Sequence, residues 1–176
     1  MEFVIIGLYI FFLSFILLYA LTELNLTFAY LRDKRKNRGV QDKSFDNDED
    51  KPIVAIQLPV YNELYVIERL IDAVANFDWP KEKLEIQVLD DSNDETVDII
   101  ANKVKEWSGK GIDIIHVIRP NREGFKAGAL AYGMGLLKGK YIAVFDADFV
   151  PESDFLNRTI PYFEDDKIGM VQTRWG

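Results

Sequence analysis

The sequence contains no cysteine, which removes disulfides and thiolate metal sites from consideration and leaves the redox compartment open. Histidine is nearly absent as well. The one present, His116, falls inside a predicted strand, where a structural role is favoured. No serine–histidine–acid triad can be assembled without it, which argues against serine-hydrolase chemistry. Positive charge is in short supply: 21 Lys and Arg face 29 Asp and Glu, for a net charge of −8. Binding a nucleic-acid backbone relies on clustered cations, so nucleic acid is not an expected partner. An acidic protein that binds an anionic nucleotide needs a metal or a few placed basic groups instead. Two common nucleotide signatures are also missing. The first predicted strand leads into PVYNE at 59–63 and not into G-x-G-x-x-G, and no G-x-x-x-x-G-K-[ST] occurs, so a nicotinamide, flavin or P-loop protein is not expected. No internal repeat is visible.

What is present is apolar material in two forms. The chain is 48% hydrophobic with 12 Phe, 8 Tyr and 3 Trp, enough for a packed core and against general disorder. Residues 3–22, FVIIGLYIFFLSFILLYALT, form an uncharged run bracketed by Glu2 and Glu23. At ~1.5 Å per residue it covers about 30 Å, the thickness of the hydrocarbon layer. It lacks the basic leader and short apolar stretch of a cleaved signal peptide, and it is longer than the one-sided helices of soluble cores. A membrane anchor over residues 1–31 is therefore expected. Arg32, Lys34, Arg35, Lys36 and Arg38 follow it at once, and basic residues beside a span stay in the cytoplasm. The rest of the chain is expected on the cytosolic side. Residues 32–51 read as a basic, then acidic linker, with the polar stretch 41–51, QDKSFDNDEDK, as a flexible tether.

From Pro52 onward apolar runs alternate with helical patterns. Strands are predicted at 53–58, 85–89, 112–118, 141–145 and 168–172, with helices at 64–75, 95–107, 126–137 and 155–163. This alternation predicts an α/β domain over 52–176: a mainly parallel sheet with helices on both faces.

In such a sheet, ligands bind beyond the carboxyl ends of the strands, near the point where strand order reverses. After the successive strands stand Pro59-Val60-Tyr61-Asn62-Glu63, Asp90-Asp91-Ser92-Asn93-Asp94, Arg119-Pro120-Asn121-Arg122 and Asp146-Ala147-Asp148. Carboxylates thus collect on one edge, beside a cationic loop. Their repulsion demands a cation or donors in compensation. A D-x-D triplet is weak by itself, but at the tip of the buried strand YIAVF its two carboxylates can share a hard divalent ion. Asp94, with Thr96 close behind, is the expected cap of the following helix. That leaves Asp90 and Asp91 free for a ligand, such as the N–H edge of a uracil or guanine. Lys126 begins a helix where it can face a phosphate. Gly128 and Ala129 read as packing residues.

Taken together, PVYNE at 59–63, DDS at 90–92 with Asp94 and Thr96, GFKAGAL at 124–130 and DAD at 146–148 resemble the inverting family 2 glycosyltransferases. Within that family they look most like the membrane synthases of the cellulose and mannan type. The resemblance covers about residues 52–176 and implies a Rossmann-like GT-A nucleotide-sugar-binding fold. It implies a UDP- or GDP-sugar donor and a polysaccharide or lipid acceptor at the cytosolic face of a lipid membrane. Asp91, with Asp90 sharing the task, would hold the nucleobase, while Pro59, Tyr61 and Glu63 would border the nucleoside. Lys126 would lie near the phosphates. Asp148 would ligate Mg²⁺ or Mn²⁺, with Asp146 turned toward the ribose and the metal. The family's catalytic base and its Q-x-x-R-W acceptor motif have no counterpart here. Gln172-Thr173-Arg174-Trp175 has one residue too few between Gln and Arg and follows the D-x-D too closely. On the resemblance, the base is expected beyond Gly176, and the chain is expected to be a fragment that binds nucleotide weakly without transferring sugar.

Two other readings compete. A haloacid-dehalogenase-type phosphatase also opens on a strand followed by D-x-D-x-[TV], which YIAVFDADFV fits literally, but there the motif begins the domain. A membrane-tethered nucleotide-sugar-binding or scaffold module without catalysis is the non-enzymatic alternative.

Overall fold

The computed structural model describes residues 2–36, 45 and 47–173, with the side chains of the first helix described as far as Arg32. The chain forms two compact units, residues 1–42 and 43–176.

Among its described residues the first unit is a single helix, α1 (Glu2–Lys36). Its segment Glu2–Arg32 is long and apolar enough to cross a membrane. Every residue from Glu2 to Arg32 is exposed, so the apolar side chains face outward on all sides of it. The few hydroxyls bond within the helix: Ser14 donates to the Ile10 carbonyl, Thr22 to Leu18 and Thr27 to Glu23. No solvent is needed to satisfy them, as suits a helix in hydrocarbon. The helix outruns the uncharged stretch because Leu24 to Leu31 continue it without a breaker. Lys34, Arg35, Lys36 and Arg38, expected to mark the cytosolic side, lie outside the residues with described side chains, as do residues 41–44 of the expected tether.

The second unit is a three-layer α/β domain. Its strands are β1 (Val54–Val60), β2 (Leu84–Asp90), β3 (Asp113–Ile118) and β4 (Tyr141–Val144). They form one wholly parallel sheet in the order β3-β2-β1-β4. Between them run α2 (Ile67–Ala75), α3 (Thr96–Gly109) and α4 (Phe125–Met134), and α5 (Phe155–Thr159) follows β4. The expected parallel sheet with helices on both faces is what forms.

Side-chain alternation sorts the two faces. Val54, Ile56 and Leu58 of β1 share one face with Ile86 and Val88 of β2 and Ile114 of β3. Against it α2 lays Ile67, Leu70, Ile71 and Val74, the i, i+3, i+4, i+7 stripe of a core-facing helix, and α3 adds Ile100 and Trp107. The Trp107 indole N–H donates to Asp72 Oδ1 at 2.8 Å and ties the two helices together. The opposite face carries Gln57, Gln87 and Leu89, covered by α4 through Ala129 and Leu130. Gly133 lets α4 lie close: a Cβ there would stand 2.5 Å from Gln57 Nε2 and 2.7 Å from Gln87 Oε1.

Three expectations need correction. The helix expected over 155–163 breaks after Thr159 into a 3₁₀ turn, Ile160–Glu164, because Pro161 has no N–H for the α-helical ladder. No strand forms at 168–172. A strand exists only with a partner to pair with, and among the described residues the outer edge of β4 has none. The end of the acidic segment is not a free tether. Asp48–Asp50 makes a 3₁₀ turn whose Asp48 and Glu49 carbonyls accept from Lys83 Nζ at 2.8 and 2.6 Å, and Phe45 meets the edge of Trp79.

Replacing Gly133 with Val should destabilise the domain by about 1–3 kcal/mol through overpacking on the two glutamines. Chemical denaturation of the 176-residue chain in detergent, followed by circular dichroism, measures it.

Candidate functional site

The sheet order reverses at β1. From there the chain steps to β2 and β3 on one side, then returns to place β4 on the other. The carboxyl ends of β1 and β4 therefore flank a crevice, the place where an open parallel sheet binds ligands. A cleft of about 430 Å³ opens there, lined by Pro59, Val60, Tyr61, Glu63, Asp91, Arg122, Lys126, Ala129, Asp146, Ala147 and Asp148.

Each wall is a loop that its strand delivers, and each loop is stitched to the next. Asn62, in left-handed backbone at φ 56°, exchanges hydrogen bonds with Asn93. Its Nδ2 donates to Asn93 Oδ1, and its Oδ1 accepts from the Asn93 N–H, both at 3.0 Å. The Asn62 N–H donates to Ser92 Oγ at 2.9 Å. Asparagine tolerates this backbone better than any bulkier residue. The loops after β1 and β2 are thereby held together. The loops after β2 and β3 are joined by a fork-to-fork ion pair: Arg119 Nε and Nη2 donate to Asp91 Oδ1 and Oδ2, both at 2.6 Å. The two side chains are only 7% and 6% exposed, so the pair is worth more than a surface salt bridge. The hydrogen bonds to Asp91 raise the Arg119 pKa further, outweighing its partial burial. Arg119 also donates to the Glu123 and Phe125 carbonyls at 2.7 and 2.8 Å and so shapes the start of α4. Gly128 makes room for it, since a Cβ there would stand 2.0 Å from the Glu123 oxygen and 2.7 Å from Arg119 Nη1.

The remaining wall is the turn after β4. Phe145 N–H bonds to Gln57 and prolongs the pairing, and Phe149 N–H closes a turn on the Asp146 carbonyl at 3.0 Å. Ala147 is buried between Asp146 and Asp148, and both carboxylates face outward. Lys126 forms an ion pair with Asp146. No group of three or more His, Cys, Asp or Glu able to hold a metal occurs among the described residues. Asp146 and Asp148 offer a pair of oxygen ligands on an open turn. That suits a hard divalent ion which draws its other ligands from water and from an oxyanion bound in the cleft.

Of the residues expected from the sequence, Pro59, Tyr61, Glu63, Asp91, Lys126, Asp146 and Asp148 all meet in this cleft. Asp90 does not. It is 2% exposed, accepts from the Ser92 N–H at 2.8 Å and lies 2.8 Å from His116 Nε2. Its burial alone would raise its pKa, but the hydrogen bonds from His116 and Ser92 prevail and hold it below the usual carboxylate value. The expectation that both acids stand free thus fails in two ways: Asp90 is turned inward to His116, and Asp91 is gripped by Arg119. His116 serves that structural pair. Asp94, expected as the cap of α3, stands one residue before the N-cap Glu95 and from there accepts from the Thr96 N–H at 3.0 Å. Ala129 packs on Leu89 and Val117, whereas Gly128 serves the loop. Sequence reasoning missed Arg119 and Arg122 as individual site residues. The signal was there, a cationic loop after β3 facing acids after β2, but nothing in it says which cation takes which acid. Arg174 and Trp175 lie outside the described residues.

Comparison with known proteins supplies the lineage. Residues 55–176 match the family described as glycosyl transferase family 2. A probable glucomannan 4-beta-mannosyltransferase 11 of Oryza sativa subsp. japonica is 46% identical over 129 residues, 70% of this chain and 23% of the relative. Glucomannan 4-beta-mannosyltransferase 9 of Arabidopsis thaliana is also 46% identical, over 70% of this chain and 24% of its own. The chain thus spans about a quarter of the length of these relatives. Among solved structures, the mannosyltransferase PcManGT from Pyrobaculum calidifontis, in complex with GDP-Man and Mn²⁺, superposes with a TM-score of 0.65 at 28% identity. The match covers 81% of this chain and 41% of that one. S. aureus TarS shares the fold with a TM-score of 0.56 at 20% identity, over 65% of this chain and 20% of that one.

Two outcomes follow from the buried acids. Arg119→Ala should cost about 3 kcal/mol or more, because it strands a buried Asp91 carboxylate, and Arg119→Lys should recover only part of that. Thermal and denaturant melts of the chain in detergent report both. A carboxyl held below its unfolded value stabilises fully above that unfolded value and loses the contribution as pH falls through its folded value. The wild type should therefore exceed Asp90→Asn in stability at pH 7, by about 1–2 kcal/mol. The margin should shrink as pH drops below about 4, as read from melts across a pH series.

Proposed function

The chain belongs to glycosyltransferase family 2, and we propose that its cleft is the donor site of a membrane-anchored, inverting hexosyltransferase that acts on a nucleoside-diphosphate sugar. The observation that carries this reading is the convergence of Tyr61, Asp91, Lys126, Asp146 and Asp148 on one crevice at the sheet's point of reversal. The proposed donor is GDP-mannose and the proposed acceptor a β-linked glycan. Support comes from the mannosyltransferase relatives and from the GDP-Man complex of PcManGT.

On this proposal Asp91, fixed in place by Arg119, presents its remaining lone pairs to the N–H edge of the base, while Pro59, Tyr61 and Glu63 border the nucleoside. Lys126 leaves Asp146 for the diphosphate, and Asp146 turns to the ribose and metal. Asp148 and Asp146 would hold Mg²⁺ or Mn²⁺, which when bound supplies charge neutralisation for the leaving diphosphate. In the transfer itself an acceptor hydroxyl oxygen bonds to the anomeric carbon. The bond to the diphosphate breaks with its electron pair on the nucleotide, and the hydroxyl proton passes to a base. No cleft residue is assigned as that base. Lys126 opposes the charge growing on the diphosphate. The α1 helix is the proposed anchor, with the basic residues 32–38 keeping the domain on the cytosolic side. A phosphatase reading has no support from the family match.

Calorimetric titration of the 176-residue chain in detergent with GDP-mannose and UDP-glucose, with and without Mn²⁺, tests the proposal. Metal-dependent binding that favours GDP-mannose is expected, weakened about tenfold or more by Asp146→Ala or Asp148→Ala, the loss of one charged contact. Binding that ignores both metal and these two acids would rule the assignment out.

A further inference from the structure

Among the described residues that line the cleft, Tyr61 is the one aromatic side chain, and one face of its ring is already taken. The Arg122 guanidinium carbon lies 3.3 Å from the centre of the Tyr61 ring. That is van der Waals contact, so no flat group fits between them. Arg122 is also 5.1 Å from the centre of the Phe125 ring and 3.8 Å from Asp91 Oδ2. A planar cation on an aromatic face with an acid nearby is a favourable seat, and it is also the seat that a nucleobase would want, since every base stacks on such a face.

From this we propose that Arg122 is a latch over the cleft: its guanidinium occupies the face of Tyr61 on which the base of a donor would stack, and has to withdraw before that base can enter. The inference rests on the donor-site reading above and adds to it a competition within the chain.

The loop around Arg122 is built to allow the withdrawal. Arg119 fixes its base by holding the Glu123 and Phe125 carbonyls, so the wall of the cleft stays when the tip moves. The tip that moves is the Arg122 side chain, 39% exposed. Gly124 at φ 70° and Phe125 at φ 49° follow directly. For a bulky aromatic residue the left-handed region is strained. The turn between Arg122 and Phe125 is closed by the Phe125 N–H on the Arg122 carbonyl at 3.1 Å, a backbone bond that does not depend on where the Arg122 guanidinium lies. Asp91 loses nothing essential in the exchange, because its short bonds are to Arg119 and not to Arg122.

The test separates a latch from a phosphate ligand by using ligands with and without phosphate. Binding of guanosine, GDP, uridine and UDP to the wild-type chain in detergent is compared with Arg122→Ala and Arg122→Ser. Two exposed-site variants guard against an accident of folding, which melting curves would reveal. A latch predicts that both variants bind the nucleosides more tightly than wild type, by about two- to fivefold, the strength of a partly exposed cation–π contact. It also predicts that Tyr61→Ala abolishes the gain. Binding by the Arg122 variants alone, with none by wild type, is the same result in extreme form. Unchanged or weaker nucleoside binding by the variants overturns the latch. Loss confined to GDP and UDP overturns it too and makes Arg122 a phosphate ligand, with the donor-site reading intact. If neither wild type nor any variant binds a nucleoside or nucleotide, both the latch and the donor-site reading fall.

Discussion

The cleft depends on the ion pair between Asp91 and Arg119. Asp91 ends the second strand's delivery of acid to the rim, and Arg119 does the same for the third strand with the opposite charge. Both are withdrawn from water, and their planar groups meet along two short hydrogen bonds. Removing either would leave the other buried and uncompensated. The remaining donors of the same guanidinium hold two carbonyls at the start of α4. One side chain thereby fixes the distance between two loops and the direction in which a helix begins, and the positions of Arg122 and Lys126 follow from that direction.

A second consequence is electrostatic. A rim that gathers Asp91, Asp146 and Asp148 would repel itself if left bare. The segment 119–126 answers with its own cations: Arg119 on Asp91, Arg122 beside Asp91, and Lys126 on Asp146. The chain therefore carries an internal set of counterions over the cleft. On the proposed function, a diphosphate sugar with its metal brings charge of both signs and exchanges partners with this set, so opening the cleft costs less than breaking isolated ion pairs. Asp90 stands outside the exchange. Its bonds to His116 and Ser92 keep the root of the same loop rigid beneath the moving groups.

Much of the fold was legible because burial leaves a periodic mark. Residues 67, 70, 71 and 74 write the inward stripe of α2, and the apolar runs that became β1 and β2 are buried on both faces, as strands of a parallel sheet must be. The failures have a common cause. The segment 168–172 has the composition of a strand, but pairing needs a neighbour, which composition does not supply. The acidic stretch 48–50 has the composition of a tether, but Lys83 and Trp79, more than two dozen residues away, decide that its end is docked. Asp90 and Asp91 are adjacent and chemically identical, and in a strand successive side chains point to opposite faces. One therefore turned into the core and the other to the cleft.

The sequence by itself determined the alternation of strands and helices, the apolar length of α1 and the gathering of Pro59, Tyr61, Glu63, Asp91, Lys126, Asp146 and Asp148 at strand ends, because these follow from local pattern and from the direction of a parallel strand. Only the tertiary structure decided which group pairs with which: Arg119 with Asp91, Lys126 with Asp146, His116 with Asp90, and Arg122 with the Tyr61 ring. Pairing energies depend on distance and on exclusion of water, and both are set by how loops from four different strands pack at a common rim, which no local stretch of sequence encodes.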